Sequence, residues 1–145
     1  MSAPAIRVLF VCTGNSARSQ MAEALLRHFG KDRFEVFSAG TNPRGEIHPL
    51  ARHVLGELGI DMTGQAPKDL SRFADEHFDY VISLCDRARG ECGGLRGDHI
   101  AHWSFSDPVE GDPEPAAMAK RFHDVMSGLE RRIRLLIIVE EGGSQ

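Results

Sequence analysis

Hydrophobic positions along the chain switch repeatedly between two periods. Ile6 to Val11 (IRVLFV) is a β-branched, nearly continuous apolar run, the pattern of a strand covered on both faces and ending near Cys12. From Ser19 onward Met21, Ala22, Leu25, Leu26 and Phe29 recur at helical spacing, and Gly30 supplies a stop. Phe34 to Ser38 predicts a second strand, and Leu50, Val54, Leu55 and Leu58 line one face of a second helix closed by Gly59. Pro67 to Glu76 fits a third, short helix. Tyr80 to Leu84 (YVISL) predicts a third buried strand, and Ile100 to Phe105 a fourth with alternating apolar residues. Asp112, Pro113 and Glu114 form a helix start signal. The final helix then buries Met118, Phe122, Val125, Met126, Leu129, Ile133, Leu136 and Ile137.

Strands alternating with helices predict an α/β fold, a parallel sheet with helices on both faces joined by right-handed crossovers. In such a sheet all carboxyl ends share one edge, and ligands bind in the crevice beyond it. The residues at or past the four strand ends are Cys12, Ser38, Cys85 and the pair Ser106 and Asp107. Two cysteines and an acid are thereby expected on one rim.

The length of 145 residues predicts one domain spanning residues 1–145. With 41% hydrophobic and 26% charged residues the chain is not disordered in the main, although the tail from Glu140 to Gln145 reads as frayed. A formal net charge of −4 argues against a general nucleic-acid binder, which needs a basic surface to displace counterions. No apolar run approaches the roughly 18–20 residues of a membrane span, and Met1 to Arg7 lacks the layout of a signal peptide. The expectation is a cytoplasmic protein with no membrane partner. Three widely spaced cysteines, Cys12, Cys85 and Cys92, are then thiols by default.

Cys12 to Ser19 reads CTGNSARS. A loop turning from a strand into a helix can aim several backbone N–H groups and a helix N-terminus at one point, which makes an anion cradle of Thr13, Gly14, Asn15, Ser16, Ala17, Arg18 and Ser19. Gly14 allows close approach, and Asn15 tolerates a left-handed conformation. Arg18 offers a planar fork of donors to two oxygens of a tetrahedral oxyanion. A cysteine at a helix N-terminus beside a cation titrates well below its usual value of about 8.5, so Cys12 is expected to be a thiolate at neutral pH.

VLFVCTGNSARSQMAEALL resembles the phosphate-binding loop and first helix of the low-molecular-weight protein tyrosine phosphatase family, and more closely its arsenate reductase branch. The resemblance continues through FSAGT at Phe37 to Thr41, YVISLC at Tyr80 to Cys85 and HWSFSDP at His102 to Pro108. It implies a four-stranded flavodoxin-like fold with strand order 2-1-3-4. It also implies Cys12 as nucleophile, Arg18 as oxyanion binder, Ser19 as the hydroxyl supporting the thiolate and Asp107 as general acid. Asn15, Glu23 and Ser38 match positions associated with potassium in related reductases, although a glutamate on a helix reads more simply as a solvated charge. No other cofactor is implied, and the scattered histidines suggest no metal site.

Phosphatase and reductase share attack of a thiolate on a tetrahedral oxyanion, so phosphate and sulfate are expected analogues of arsenate. The next nucleophile separates them. Cys85 stands on the rim that carries Cys12, where it can attack the first sulfur. Cys92 follows after six residues, and a helical segment would hold the two cysteines about 10.5 Å apart along the axis, beyond the roughly 4.4–6.8 Å Cα separation of a disulfide. Closing that pair requires rearrangement, which Gly90, Gly93, Gly94 and Gly97 favour. The spacing reads as a redox switch that carries a disulfide outward to a thioredoxin, and the thioredoxin-coupled reductases resemble it at all three cysteine positions. A hydrolytic tyrosine phosphatase is the rival, weakened by Val109 and Glu110 after the acid and by Ala17 where that branch carries a second loop cysteine. Arsenate reduction by a low-molecular-weight thiol and a non-catalytic redox sensor are further alternatives.

Overall fold

A computed structural model describes residues 4–90 and 95–143. Its centre is β1 (Ile6–Cys12), whose residues Val8 to Val11 have no solvent exposure. Successive strand side chains point to opposite faces, so the burial of all four means that both faces of the sheet are covered, as the unbroken apolar run predicts. β2 (Phe34–Gly40), β3 (His77–Ser83) and β4 (Arg96–His102) complete a four-stranded parallel sheet in the order β2-β1-β3-β4.

The register decides which residues meet at the carboxyl edge. Cys12 pairs with Gly40, Val11 with Ser83, and Ser83 with His102. Whatever follows these residues projects into one crevice.

Among the described residues four α-helices connect and cover the strands: α1 (Arg18–Gly30), α2 (Pro49–Gly56), α3 (Asp86–Arg89) and α4 (Pro115–Gly143). α1 is buried from Arg18 through Leu26, because α2, α4 and the sheet surround it. α4 turns Phe122, Val125, Met126, Leu129, Ile133 and Leu136 into the core. Among the described residues no helix is long and apolar enough to cross a membrane.

Several boundaries differ from the sequence expectation, each for a local reason. β2 continues past Ser38 to Gly40, so Ser38 lies inside the strand. β4 ends at His102 rather than Phe105. It is an edge strand with Ile100 60% exposed, so its apolar alternation is no guide to its bounds. Leu58 lies outside α2 and is exposed, since the helix stops at Gly56 and Gly59 takes a positive φ of 76° in the turn. The expected helix between Pro67 and Glu76 is a single 3-10 turn, Leu70–Phe73, capped by the Asp69 side chain. Asp112 is a left-handed turn residue rather than a cap, and α4 begins at Pro115 and runs through the expected frayed tail as far as Gly143.

Candidate functional site

Residues 13–17 join β1 to α1, and their carbonyl groups explain the loop's shape. Thr41 N–H donates to Cys12 O, Asn42 N–H to Thr13 O, Arg44 N–H to Gly14 O and His48 N–H to Ser16 O, at 2.8–3.1 Å. The Gln20 side chain donates to Asn15 O, and Met21 N–H to Ala17 O. Every carbonyl from Cys12 to Ala17 is thus drawn away from the crevice. The N–H groups of the same peptides face the opposite way, which builds an anion cradle from the backbone. Asn15 adopts φ 48°, the left-handed conformation expected of it. Ala17 caps α1 and has no polar side chain to occupy the helix's first N–H groups.

The tightest approach occurs at Gly40, not Gly14. A Cβ on Gly40 would lie 2.5 Å from Thr13 O and 2.9 Å from Asn15 Cβ, whereas one on Gly14 would meet only the Arg44 side chain. Of the residues that strap the loop, Asn42, Arg44 and His48 carry no signal of their own in the sequence, because they act through main-chain N–H groups.

Beneath the loop a chain of side chains has its direction fixed at one end. Arg27 can only donate, and it donates to Gln65 Oε1. Gln65 Nε2 donates to Gln20 Oε1, Gln20 Nε2 donates to Asn15 Oδ1, and Asn15 Nδ2 donates to Ser19 Oγ at 2.7 Å. The Lys68 main-chain N–H also donates to Asn15 Oδ1, which confirms that amide's orientation. Ser19 Oγ accepts from Asn15 and lies 2.8 Å from Cys12 Sγ, so its own proton is available to the sulfur. The hydroxyl is poised to stabilise a thiolate.

Burial works against that charge. Cys12 is 2% exposed, and desolvation is the largest influence on it, pushing the thiol above its ordinary range despite the opposing pull of the Ser19 hydrogen bonds and of Arg18. Burial thus runs against the expected thiolate, and the Ser19 hydroxyl and Arg18 are the groups that favour it. Arg18 is 9% exposed and donates to the Phe105 carbonyl at 3.0 Å, tying the loop after β4 to the cradle.

A cavity of about 920 Å³ opens over the loop, lined by Cys12 to Arg18 and, from other elements, by Arg44, His48, Cys85, Asp107 and Glu110. Cys12 and Cys85 are both free thiols on this wall. Cys85 is buried just past β3, accepts the Ala88 N–H through its sulfur, and lies 3.4 Å from Thr13 Oγ1, a contact that no sequence pattern announces. Asp107 lines the cavity while its Oδ1 accepts the Val109 N–H, so its turn-forming role and its place in the cavity coexist. His48 Nδ1 accepts the Leu50 N–H; burial, then Arg44, holds the ring's pKa below its usual value, so the neutral ring carries its proton on Nε2. Cys92 lies outside the described residues, and the helical segment considered between Cys85 and Cys92 is observed over α3.

Glu23 and Ser38 meet under the loop, Asn15 is joined to them through Lys68, and Glu23 is not a solvated charge. It is 4% exposed, accepts from Ser38 Oγ at 2.5 Å, and pairs with Arg27 at 2.5 Å and with Lys68 Nζ at 3.8 Å. Among the described residues no cluster of His, Cys, Asp and Glu has the makings of a metal site.

The family model described as low molecular weight phosphotyrosine protein phosphatase matches residues 7–141. The chain belongs to that family. Within the family it is 34% identical over 129 residues to an arsenate reductase of Shouchella clausii, covering 88% of this chain and 91% of that protein. A solved arsenate reductase in the phosphate binding state superposes with a TM-score of 0.75 at 31% identity, covering 92% of this chain and 97% of the other. The thioredoxin-dependent arsenate reductase Cg_ArsC1' of Corynebacterium glutamicum superposes at 0.73 with 32% identity, covering 97% of this chain and 65% of that one. The chain is an enzyme of this family.

Proposed function

We propose that the protein reduces arsenate to arsenite through a relay of Cys12, Cys85 and Cys92 that thioredoxin regenerates. The observation that carries the reading is the presence of two free thiols, Cys12 and Cys85, on the wall of the one cavity that opens over the loop. A hydrolytic phosphatase has work for the first alone. The arsenate reductases among its relatives, one of them thioredoxin-dependent, support the same reading.

In this mechanism the cradle N–H groups of residues 13–18 and the Arg18 guanidinium bind the arsenate oxygens. Cys12 sulfur attacks arsenic(V), an As–O bond breaks, and Asp107 protonates the departing oxygen as water. The Ser19 O–H, aimed at the sulfur through Asn15, supports the attacking thiolate. Cys85 sulfur then attacks Cys12 sulfur. A disulfide forms, the S–As bond breaks, and its electron pair remains on arsenic, which leaves as arsenite. Cys92 sulfur attacks Cys85, the Cys12 thiolate is released, and the new disulfide receives two electrons from the dithiol of thioredoxin.

The test is arsenate-dependent NADPH oxidation with thioredoxin and thioredoxin reductase, run beside Cys92→Ser. Sustained turnover that vanishes in the variant supports the relay. Turnover that survives in Cys92→Ser, or that requires a low-molecular-weight thiol, overturns it.

A further inference from the structure

We infer that Lys68 is a built-in monovalent cation beneath the oxyanion loop, a positioning residue that lets the loop hold Cys12 without potassium. The inference rests on the reading of residues 12–19 as the working site, and it concerns how that site is held.

Glu23 is a carboxylate buried in α1 directly below the loop. A buried carboxylate stays ionised only if donors and cations compensate for lost water. Oε2 has Arg27 at 2.5 Å. Oε1 has the Ser38 hydroxyl at 2.5 Å and the Lys68 ammonium at 3.8 Å. A hydroxyl that donates to a carboxylate aims its proton, rather than an open lone pair, at that space. Asn15 Oδ1 is likewise taken, by Gln20 Nε2 and by the Lys68 N–H. Potassium wants several oxygens turned toward a common point. Here they are turned toward protein donors, and an ammonium already faces the carboxylate.

Lys68 is not an incidental surface charge. Its side chain is 17% exposed, and its ammonium also donates to Ala66 O at 2.7 Å. Its N–H donates to Asn15 Oδ1 at 2.8 Å, and its carbonyl accepts the Gly40 N–H at 2.8 Å. One residue therefore joins the end of β2, the left-handed Asn15 and the buried carboxylate. Because Asn15 aims Ser19 at Cys12, charge compensation at Glu23 is coupled to the nucleophile through this segment.

The experiment compares the wild-type protein with Lys68→Met and Lys68→Arg in KCl, NaCl and choline chloride of equal ionic strength. It reads melting temperature and the pH profile of Cys12 alkylation by iodoacetamide, the latter on a Cys85→Ser/Cys92→Ser background. Neither readout uses arsenate, so failure of the reductase reading and failure of this inference are distinguishable. Wild type and Lys68→Arg are expected to behave identically in all three salts. Lys68→Met is expected to melt lower in choline chloride, to recover in KCl, and to alkylate about tenfold more slowly at fixed pH, equivalent to a rise of about one unit in the Cys12 pKa. Wild-type protein that responds to potassium over choline overturns the inference. So does Lys68→Met that responds to no cation, which would leave Lys68 a plain packing role. If Lys68→Met does not fold, Lys68→Gln takes its place in the salt series with the same expected recovery in KCl, and a potassium response in wild type or Lys68→Arg still refutes the claim.

Discussion

Ser19→Ala isolates the last link between the buried scaffold and the nucleophile. In the folded protein the Ser19 hydroxyl accepts from Asn15 and lies 2.8 Å from Cys12 Sγ, so it is placed to donate to the thiolate. A hydrogen bond to a charged group contributes about 1.5–3 kcal/mol, and one pKa unit corresponds to about 1.36 kcal/mol. Removing the hydroxyl should therefore raise the Cys12 pKa by about one to two units, from a value that burial has already pushed up. At neutral pH the thiolate fraction would fall roughly tenfold to a hundredfold. The assay is iodoacetamide alkylation as a function of pH, on a Cys85→Ser/Cys92→Ser background so that Cys12 alone reacts. Ser19→Thr keeps the hydroxyl and should stay near the parent profile. Linkage gives a second signature. A raised thiol pKa favours the neutral folded form, so the contribution to stability is full below the unfolded value of about 8.5 and is lost as pH rises through the folded value. In Ser19→Ala that loss should extend to higher pH. Coincident alkylation profiles for Ser19→Ala and its parent, with both proteins folded, would refute the assigned direction of the hydrogen bond.

Three further outcomes follow from the same geometry. Gly40→Ala should destabilise the protein by about 1–3 kcal/mol, because the new Cβ meets Thr13 O at 2.5 Å and displaces the cradle; thermal melts should show lost protection by phosphate, while Gly14→Ala, facing only the Arg44 side chain, should cost much less. Asp107→Asn preserves an acceptor for the Val109 N–H but removes the acid, so arsenate turnover should fall about 10²–10⁴-fold with phosphate affinity retained, and unchanged turnover would remove Asp107 from the mechanism. Tyr80, pushed up to about 12 by burial and then by its hydrogen bond to Glu140, favours the folded state while protonated. Its contribution should be present below about 10, the ordinary tyrosine value, and decline toward 12, so melting temperature should drop more steeply over that window in wild type than in Tyr80→Phe.

The sequence made the strand and helix order legible because β1 and β3 are central and α4 keeps one apolar face. Legibility failed where that logic fails. β4 leaves Ile100 exposed on an edge strand, so periodicity misplaced its bounds. α1 is buried nearly all round, so its pattern could not reveal that Glu23 points inward. At the site, Cys12, Arg18, Cys85 and Asp107 are readable as candidate side chains in the segments at or after strand ends, and the structure brings all four to one cavity. The strap donors at Asn42, Arg44 and His48 are not, because main-chain donors are the same in every residue type. Lys68 was missed for the opposite reason: one lysine in a polar stretch looks like any other until the fold sets it beside a buried carboxylate.

What the scaffold fixes and what it leaves open separate cleanly around Cys12. Six consecutive carbonyls, from Cys12 to Ala17, accept hydrogen bonds that draw them away from the cavity. Their donors come from residues 20–21 and 41–48, so the cradle belongs to the fold and does not depend on the identity of the incoming oxyanion. Arsenate and phosphate, alike in charge and nearly alike in shape, should both be held. Selectivity must then arise after binding, from whatever stands beside the adduct. Here that neighbour is a buried thiol whose sulfur touches the hydroxyl of the first loop residue. An acceptor that can take two electrons gives such a thiol a reaction, whereas phosphorus(V) has no accessible lower state under these conditions. On the proposed relay, Cys85 in this place would give an oxyanion cradle a redox chemistry without altering the cradle, since the shared first step needs only the loop and the second nucleophile comes from the end of β3.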